Sequence, residues 1–330
     1  MLTVFLWRIL AFVAAVYCQE ELKDLLDFSN ITSKISLYPH RDVEPTSVEA
    51  SPEIDSSEHG VTPGKMETNC TCGRANRGGA RIIGGRQFQP FEYPFLALIS
   101  LSTDPERPHC GSTIISDRHL LTAAHCTSKA GGNIGLLVTV AVHEIGNSPK
   151  SYTVEVERLI QHENYNERNL LNDISLLYLK NPLQLTEVVS PACMPLPGMS
   201  VIGKYVRVIG WGATEAYGPM TVLPQKVDLE VISTEKCHEY WQLQVATDPV
   251  TQICRMWENK SACHGDSGGP VVWLDPDTNR YTSVGIVSFG LPCKSSVPNM
   301  DTSVVSYLPW IMKGIEATTP GRKLCTKIVN

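Results

Sequence analysis

Residues 263–270 read CHGDSGGP and place one serine, Ser267, between glycines with an aspartate directly before it. Because Gly265 and Gly268 carry no side chain, the backbone can form a tight turn that exposes the Ser267 hydroxyl. In such a turn the N–H groups of Gly265 and Ser267 can point at one spot and stabilise a developing oxyanion. Glycine and serine also occur in ordinary turns, so the stretch predicts a nucleophile only if the chain supplies a base and a residue that orients it.

Two other short stretches can supply these partners. Residues 121–126 read LTAAHC and place His125 among small residues, and residues 172–177 read NDISLL and place Asp173 before an apolar run. Singly, His125 could be a packed or surface histidine and Asp173 a turn cap. Together with Ser267 they form the set of base, orienting carboxylate and nucleophile that activates a hydroxyl group.

Length and charge limit the function classes. The chain has 330 residues and a formal net charge of -6, which allows one large or two ordinary domains. The acidic excess lies in residues 19–69, so the remainder is close to neutral. No basic face that would bind nucleic acid is predicted.

The N-terminus predicts export from the cell. Residues 1–18 are apolar, interrupted only by Arg8, and end in small residues, which is typical of a secretory signal peptide. A membrane anchor would need about 18 or more uninterrupted apolar residues, so no membrane partner is expected. Removal of residues 1–18 would take one of the 11 cysteines and leave an even number, which suits the disulfides of a secreted, extracellular protein.

Residues 19–81 are acidic and rich in serine, threonine, proline and glutamate. Such a segment buries too little apolar surface to offset its ordering entropy, so we expect a disordered leader or propeptide. This leader could carry a binding function of its own, for example toward a basic surface. It ends in a glycine-rich run before Arg81, where proteolysis would create a new ammonium group on Ile82; an ordinary linker is the alternative.

Beyond Ile82 the patterning is all-β. Alternating or short apolar runs between Gly, Pro and Asn predict a barrel or sandwich with one C-terminal helix over residues 307–317. The predicted strands cover residues 138–145, 152–160, 175–179, 204–209, 227–232 and 281–289.

Six stretches together resemble the chymotrypsin/trypsin family of serine endopeptidases. They are RIIGG at 81–85, TAAHC at 122–126, NDI at 172–174, GWG at 210–212, GDSGGP at 265–270 and SFG at 288–290. The resemblance implies two antiparallel six-stranded β-barrels with the active site between them. Residues 82–330 would be the peptidase domain with a short basic C-terminal tail. The leader and the CTCG of residues 70–73 resemble secreted arthropod proteases, including venom ones.

The resemblance also assigns roles to residues. Ser267 would attack the scissile carbonyl, His125 would act as general base and acid, and Asp173 would orient the imidazole. The N–H groups of Gly265 and Ser267 would form the oxyanion hole. A homologue that has lost catalysis and acts by binding is the alternative from another class.

Activation and partners follow from the same resemblance. Cutting after Arg81 would let the Ile82 ammonium pair with Asp266, so the uncut chain would be an inactive zymogen. The implied partners are protein or peptide substrates and an activating protease, and a protein inhibitor is also compatible. No metal or organic cofactor is implied.

The disulfides are assigned by the same family template. It implies Cys110–Cys126, Cys237–Cys254 and Cys263–Cys293, and it makes Cys72–Cys193 the tether of the leader. Cys70 and Cys325 remain, and only the cysteine count pairs them. If both leader pairs form, the leader stays attached after activation.

The primary specificity pocket is where the sequence is ambiguous. The implied lining residues are Ser261, Ser288, Phe289, Gly290, Asn299 and Asp301, with His264 on the rim. Ser261 stands where trypsins have an aspartate, and Gly290 would leave the mouth open to a large side chain.

Two specificities therefore remain. In one, Ser261 and Asn299 form a neutral pocket for aromatic or mid-sized apolar residues at P1, the position before the scissile bond. In the other, Asp301 supplies a carboxylate for arginine or lysine. We favour the neutral pocket, because a buried carboxylate without a partner is costly.

Three N-glycosylation patterns occur, at Asn30, Asn69 and Asn259. Only Asn30 lies in a free segment, whereas Asn69 is followed by a cysteine and Asn259 lies beside the pocket. Asn30 is therefore the predicted glycan site.

Overall fold

The computed structural model describes residues 59–76, 86–87, 89–128, 130, 134–215, 218–241, 250–256, 264–290 and 297–329. Residues 86–87 are described in their backbone only. Several predictions lie outside these ranges: the signal peptide, Asn30, Arg81, Ile82, Asn259, Ser261 and the Cys263–Cys293 pair.

The described chain consists mainly of β-strands. Strands β1 to β13 span Arg86–Gln87, Leu96–Leu101, Cys110–Ile114, His119–Thr122, Leu136–Val140, Tyr152–Gln161, Ser175–Leu179, Tyr205–Gly210, Gln225–Ile232, Gln252–Met256, Pro270–Asp275, Arg280–Phe289 and Asn299–Ser303. Helices α1 to α3 span Ala124–Thr127, Thr234–Trp241 and Leu308–Thr318.

The strands form two closed antiparallel barrels. The first has the order β2-β3-β4-β7-β6-β5. The second has the order β9-β10-β13-β12-β11-β8 and closes because β8 also pairs with β9, while β1 adds to β9 from outside. The predicted pair of six-stranded barrels with a C-terminal helix is confirmed.

The C-terminal helix packs on the first barrel although it follows the second in sequence. Ile311 and Ile315 of α3 belong to the same buried apolar cluster as Leu176 of β7. A Cβ atom added at Gly314 would lie 2.7 Å from the Leu176 Cδ2 atom, so a glycine is needed for this close approach. The helix therefore crosses back and joins the two halves of the chain.

Some element boundaries differ from the prediction. The strand expected over 138–145 ends at Val140, because Ala141 has a φ of 55° and cannot continue an extended strand. Helices α1 and α2 were not predicted; α1 is a single turn, too short to show a helical period. None of the helices in the described part of the chain is long and apolar enough to cross a membrane.

Residues 59–76, which composition assigned to a disordered leader, instead pack against the second barrel. Gly64 N–H donates to Thr278 O at 2.9 Å, and Tyr281 N–H donates to Gly73 O at 2.8 Å. Within this segment the Cys72 side chain is fully buried. For these residues the expectation of disorder is corrected.

Two disulfides hold this leader segment, residues 59–76, in place. Cys70 is bonded to Cys325 and Cys72 to Cys193, across 255 and 121 residues of sequence. Composition alone predicts disorder, because the segment makes no core of its own. The disulfide partners far along the chain hold the segment against the rest of the protein, which provides that core. Both pairs match those inferred for the leader.

Asn69 joins the leader segment to the C-terminal tail. Its Nδ2 donates to Leu324 O at 3.2 Å, and its Oδ1 accepts from Thr326 N–H at 2.8 Å. The carboxamide of Asn69 is thus hydrogen-bonded to the tail through both its nitrogen and its oxygen. In the same tail Lys327 forms salt bridges with Asp275 and Asp277.

A buried histidine makes the stability of the fold depend on pH. His119 of β4 is fully buried, with Nδ1 2.8 Å from Ser116 Oγ and Nε2 2.8 Å from Thr318 Oγ1. Burial, with the charge of Arg322 adding to it, lowers the pKa of His119 from 6.5 to about 4. The unfolded chain therefore takes up a proton at this residue before the folded protein does.

We predict that His119 removes about 3 kcal/mol of stability as the pH falls from 6.5 to 4. His119→Gln should lack this pH-dependent loss of stability. The unfolding free energies of wild type and variant should therefore converge as the solution is acidified. Urea unfolding at pH 7.5 and pH 4 measures it. His238→Gln, at an exposed position, is the control, and parallel pH curves for wild type and His119→Gln would contradict the prediction.

Candidate active site

The pairing of β4 with β7 brings His125 and Asp173 together. Thr122 at the end of β4 lies opposite Ser175 at the start of β7. Helix α1, which follows β4, therefore meets residues 173–174, which precede β7, at one end of the barrel. His125 Nδ1 is 2.8 Å from Asp173 Oδ2, and the His125 backbone N–H donates to Asp173 Oδ1 at 2.9 Å. Because the carboxylate holds Nδ1, the imidazole can present Nε2 as a base.

The Asp173 carboxylate is fully buried, and the second barrel helps to hold it. Ser288 Oγ of β12 donates to Asp173 Oδ2 at 2.6 Å, and Thr302 Oγ1 of β13 donates to Asp173 O at 2.8 Å. The sequence predicted that Ser288 lines the substrate pocket, and the contact of its hydroxyl with the carboxylate was not predicted. Thr302 was missed, because its proximity depends on the packing of the two barrels.

Asn172 holds the backbone before Asp173 in an unusual conformation. Its φ is 57°, in the left-handed region that asparagine tolerates better than most residues. The Tyr307 hydroxyl donates to Asn172 Oδ1 at 2.7 Å, and Asn172 Nδ2 donates to Asn164 O at 2.8 Å. These two bonds position the turn from which Asp173 points inward.

The Ser267 turn packs against the segment that carries His125. A Cβ atom added at Gly268 would overlap Thr122 Oγ1 and lie 3.0 Å from Cys126 Sγ. Gly111 N–H donates to Ser267 O at 2.8 Å, which anchors the turn to β3. These contacts bring the turn that carries Ser267 against β3 and against Thr122 and Cys126, which flank His125 in sequence.

The backbone of this turn leaves two donors available. Gly268 N–H donates to Val287 O at 2.8 Å and Gly269 N–H to Asp266 O at 2.9 Å. Among the residues that the structure describes, the N–H groups of Gly265 and Ser267 have no acceptor. Two neighbouring unpaired donors suit an oxyanion.

Gly265 satisfies both a backbone and a steric requirement at this turn. It has a φ of 99°, which other residues rarely adopt. A Cβ atom there would lie 2.6 Å from Met220 Cγ and 3.2 Å from the Gly212 Cα atom. The glycine is therefore required by its own conformation and by its neighbours.

The GWG stretch surrounds the Asp266 carboxylate. Gly212 N–H donates to Asp266 Oδ1 at 2.8 Å. Cβ atoms added at Gly210 or Gly212 would overlap the carboxylate oxygens. The two glycines therefore make room for an inward-pointing Asp266.

The sequence predicted a pocket mouth left open by Gly290, and in the structure the Asn299 side chain lies over this glycine. A Cβ atom added at Gly290 would overlap Asn299 Nδ2, so the asparagine side chain fills the space that the glycine leaves. Phe289 beside it packs edge-on against Trp241, with ring centroids 5.3 Å apart. His264 is exposed at the rim, and its carbonyl accepts a hydrogen bond from Ala213 N–H at 2.8 Å.

Asp301 is paired with an arginine that sequence reasoning did not single out. Arg255 Nε lies 2.5 Å from Asp301 Oδ2 and Arg255 Nη2 lies 2.8 Å from Asp301 Oδ1, with both side chains fully buried. Burial raises the pKa of the Asp301 carboxyl, and the Arg255 charge opposes this rise. The carboxylate is already neutralised by this pair, which argues against its use for a basic P1 residue. Only the strand register reveals Arg255 as the partner.

The disulfide beside the histidine excludes one alternative use of the site. Cys110, His125 and Cys126 lie close enough together to hold a metal ion. The two cysteines are bonded to each other, so neither offers a thiolate. The Cys237–Cys254 pair joins α2 to β10.

Comparison with known proteins identifies the family. The trypsin family model matches residues 82–311. Venom serine protease 34 of Apis mellifera is 34% identical over 79% of this chain, which spans 64% of that relative's length. A venom serine protease of Polistes dominula is 32% identical, and the match covers 74% of this chain and 88% of that relative. Chymotrypsin-2 of Vespa crabro is 33% identical, and the match covers 70% of this chain and 99% of that relative. The chain belongs to the trypsin family of serine-type endopeptidases.

Proposed function

We propose that this chain is a secreted zymogen that, once cut after Arg81, hydrolyses peptide bonds with Ser267, His125 and Asp173. The observation that carries the proposal is the 2.8 Å contact between His125 Nδ1 and Asp173 Oδ2. The Ser267 turn packs against the same histidine segment through Gly268. Together they supply the base, its orienter and the nucleophile.

Each group has a defined step in the reaction. Ser267 Oγ attacks the scissile carbonyl while His125 Nε2 takes its proton, and the N–H groups of Gly265 and Ser267 bind the resulting oxyanion. His125 then protonates the leaving amine, which leaves an acyl-enzyme that water hydrolyses by the same steps. Asp173 stabilises the positively charged imidazole.

The position of Asp266 supports the proposed activation step. Its carboxylate points toward Gly210 and Gly212 and accepts a hydrogen bond from Gly212 N–H at 2.8 Å. A cut after Arg81 by an activating protease would create an ammonium on Ile82 that can pair with this carboxylate. Such a pair would stabilise the turn that carries the oxyanion donors, because Asp266 and Ser267 are adjacent.

The proposed pocket is neutral. The two nitrogens of Arg255 that face Asp301 occupy both carboxylate oxygens, so no free carboxylate is available from Asp301. A P1 arginine or lysine would then be buried without a counter-charge from this residue, which is costly. Protein or peptide substrates with uncharged P1 residues are therefore favoured.

Export from the cell is proposed from the signal-like residues 1–18 and from the disulfides. Four disulfides lie in the described part of the chain. Such bonds form and persist in oxidising compartments. The venom serine proteases among the relatives agree with an extracellular site of action.

We predict that a peptidyl phosphonate labels Ser267 only after cleavage behind Arg81. The Ile82 ammonium would stabilise the oxyanion turn through Asp266, so the uncut chain should react at least about 100-fold more slowly. Mass spectrometry of the labelled peptide measures it, with Ser267→Ala as the control. A correctly cut chain that takes up no label would instead support a non-catalytic binding protein.

We predict that Ser288→Ala lowers kcat/KM on the order of 10-fold, since it removes one charge-assisted hydrogen bond to Asp173. Ser283→Ala is the matched control on the same strand, because Ser283 Oγ has no hydrogen-bond partner among the described residues. Steady-state kinetics on a peptide substrate measures both variants. Equal activity of the two would show that the 2.6 Å contact does not position Asp173.

We predict that the leader stays attached after activation. The cut enzyme should migrate as one species on a non-reducing gel and as two after reduction, because Cys70–Cys325 and Cys72–Cys193 both span the cut. The paired variant Cys70→Ser, Cys325→Ser should still retain the leader through the second bond. Release of the leader from the wild-type enzyme without reductant would contradict this.

A further inference from the structure

The two segments that carry His125 and Asp173 meet in a second contact. Thr127 stands two residues after His125, at the end of α1, and Ser175 stands two residues after Asp173, at the start of β7. Thr127 Oγ1 and Ser175 Oγ are 2.9 Å apart, and both residues are fully buried. The segments are therefore joined both by the contact of the histidine with the aspartate and by this hydroxyl pair, Thr127 and Ser175.

The other neighbours of Thr127 determine which hydroxyl donates. Thr127 Oγ1 also lies 3.0 Å from Ala124 O and 3.1 Å from Gln161 Oε1, and both of these carbonyl oxygens can only accept. Among the residues that the structure describes, Thr127 Oγ1 is the one acceptor within reach of Ser175 Oγ. Both protons are used only if Thr127 donates to a carbonyl oxygen and Ser175 donates to Thr127.

The first barrel holds Ser175 from both sides. Ser175 lies opposite Thr122 of β4 and opposite Gln161 of β6. Because the side chain of Gln161 also reaches Thr127, the end of α1 contacts side chains from two neighbouring strands. The sheet thus gives α1 a fixed support at its last residue.

Helix α1 needs such a support, because it is too short to be stable by itself. It is a single turn over Ala124–Thr127, and Ala123 before it makes no side-chain capping bond. Helices of this length depend on tertiary contacts for their orientation. The Cys110–Cys126 disulfide attaches α1 to β3, and a rotation about that attachment would turn the imidazole of His125. The hydroxyl pair opposes this rotation from the side of β7.

We propose that Thr127 and Ser175 are positioning residues that keep the imidazole of His125 where its Nε2 can accept the proton of Ser267. The proposal rests on the function proposed above and adds two residues to that reaction. Both are fully buried, so neither can touch a substrate. Thr127 acts through α1 and His125, and Ser175 acts through β7 and Thr127.

The test uses the full chain, cut after Arg81, and a peptide amide substrate. Thr127→Val replaces the hydroxyl with a methyl group of similar size and leaves the Ser175 proton without an acceptor among the described residues. We expect kcat to fall at least about 10-fold and KM to change less than about 3-fold, because a displaced base slows the chemical step and leaves substrate binding intact. An unchanged kcat, or a rise in KM alone, would overturn the proposal.

The conservative variant Thr127→Ser tests whether the hydroxyl itself is responsible. It keeps the oxygen and its proton and removes only a methyl group, so kcat should stay within about 3-fold of the wild type. Equal losses of kcat in Thr127→Ser and Thr127→Val would show that packing, and not the hydroxyl contact, matters at this position.

A double-mutant cycle tests the contact between the two hydroxyls. In Ser175→Ala, Thr127 still has Ala124 O or Gln161 Oε1 as an acceptor, so no buried donor is left unpaired and kcat should fall less than in Thr127→Val. In the double variant, kcat should be no more than about 2-fold below that of Thr127→Val, since both changes remove the same contact. Losses that multiply would show that the hydroxyls act separately.

Two control variants separate positioning from a general loss of stability. Ser116→Ala removes another buried hydroxyl, which lies 2.8 Å from His119 Nδ1, and Thr139→Val removes one member of the exposed hydroxyl pair Thr139–Thr153. Urea unfolding should show a lower stability for Ser116→Ala, whereas kcat of both variants should stay within about 2-fold of the wild type. A loss of kcat in Ser116→Ala as large as that in Thr127→Val would contradict a positioning role.

Phosphonate titration of Ser267 in every variant gives the fraction of active sites by which kcat is corrected. It also distinguishes the two proposals. Absence of labelling in the cut wild-type chain refutes the proposed function. Labelling of the wild type together with full activity of Thr127→Val refutes only the positioning role of the hydroxyl pair.

Discussion

The buried carboxylate of Asp173 is the constraint on which the arrangement of the two barrels depends. A fully buried carboxylate without donors is strongly unfavourable, and here donors come from both barrels. His125 approaches from α1 of the first barrel and Ser288 from β12 of the second. The same contacts therefore satisfy the buried charge of Asp173 and orient the imidazole of His125.

Glycines occur where the backbone must come close to a charge or to another chain segment, because a side chain there would overlap its neighbours. Gly210 and Gly212 leave room for the Asp266 carboxylate, and Gly265 combines a φ of 99° with close approach by Met220. A side chain at any of the three would displace the turn that carries Ser267. The glycines in these motifs thus leave the space that Asp266 and the turn carrying Ser267 require.

Two buried aspartates have opposite consequences in this protein. Asp173 is bonded to a histidine whose side chain is 26% exposed, so its charge acts on a group that substrates can reach. Asp301 is bonded to Arg255, and both are sealed from solvent. The first carboxylate serves the proposed chemistry, whereas the second is paired with Arg255 inside the protein.

From the amino-acid sequence alone, the fold class, the order of the motifs and the strand at 175–179 could be read, because periodicity and glycine placement are local properties. Side-chain neighbours that depend on strand register could not. Ser288 meets Asp173 across 115 residues and Arg255 meets Asp301 across 46, and no local pattern announces either contact. The order of residues 59–76 likewise depends on cysteine partners far along the chain, since a segment without its own core is ordered only by the body onto which it packs.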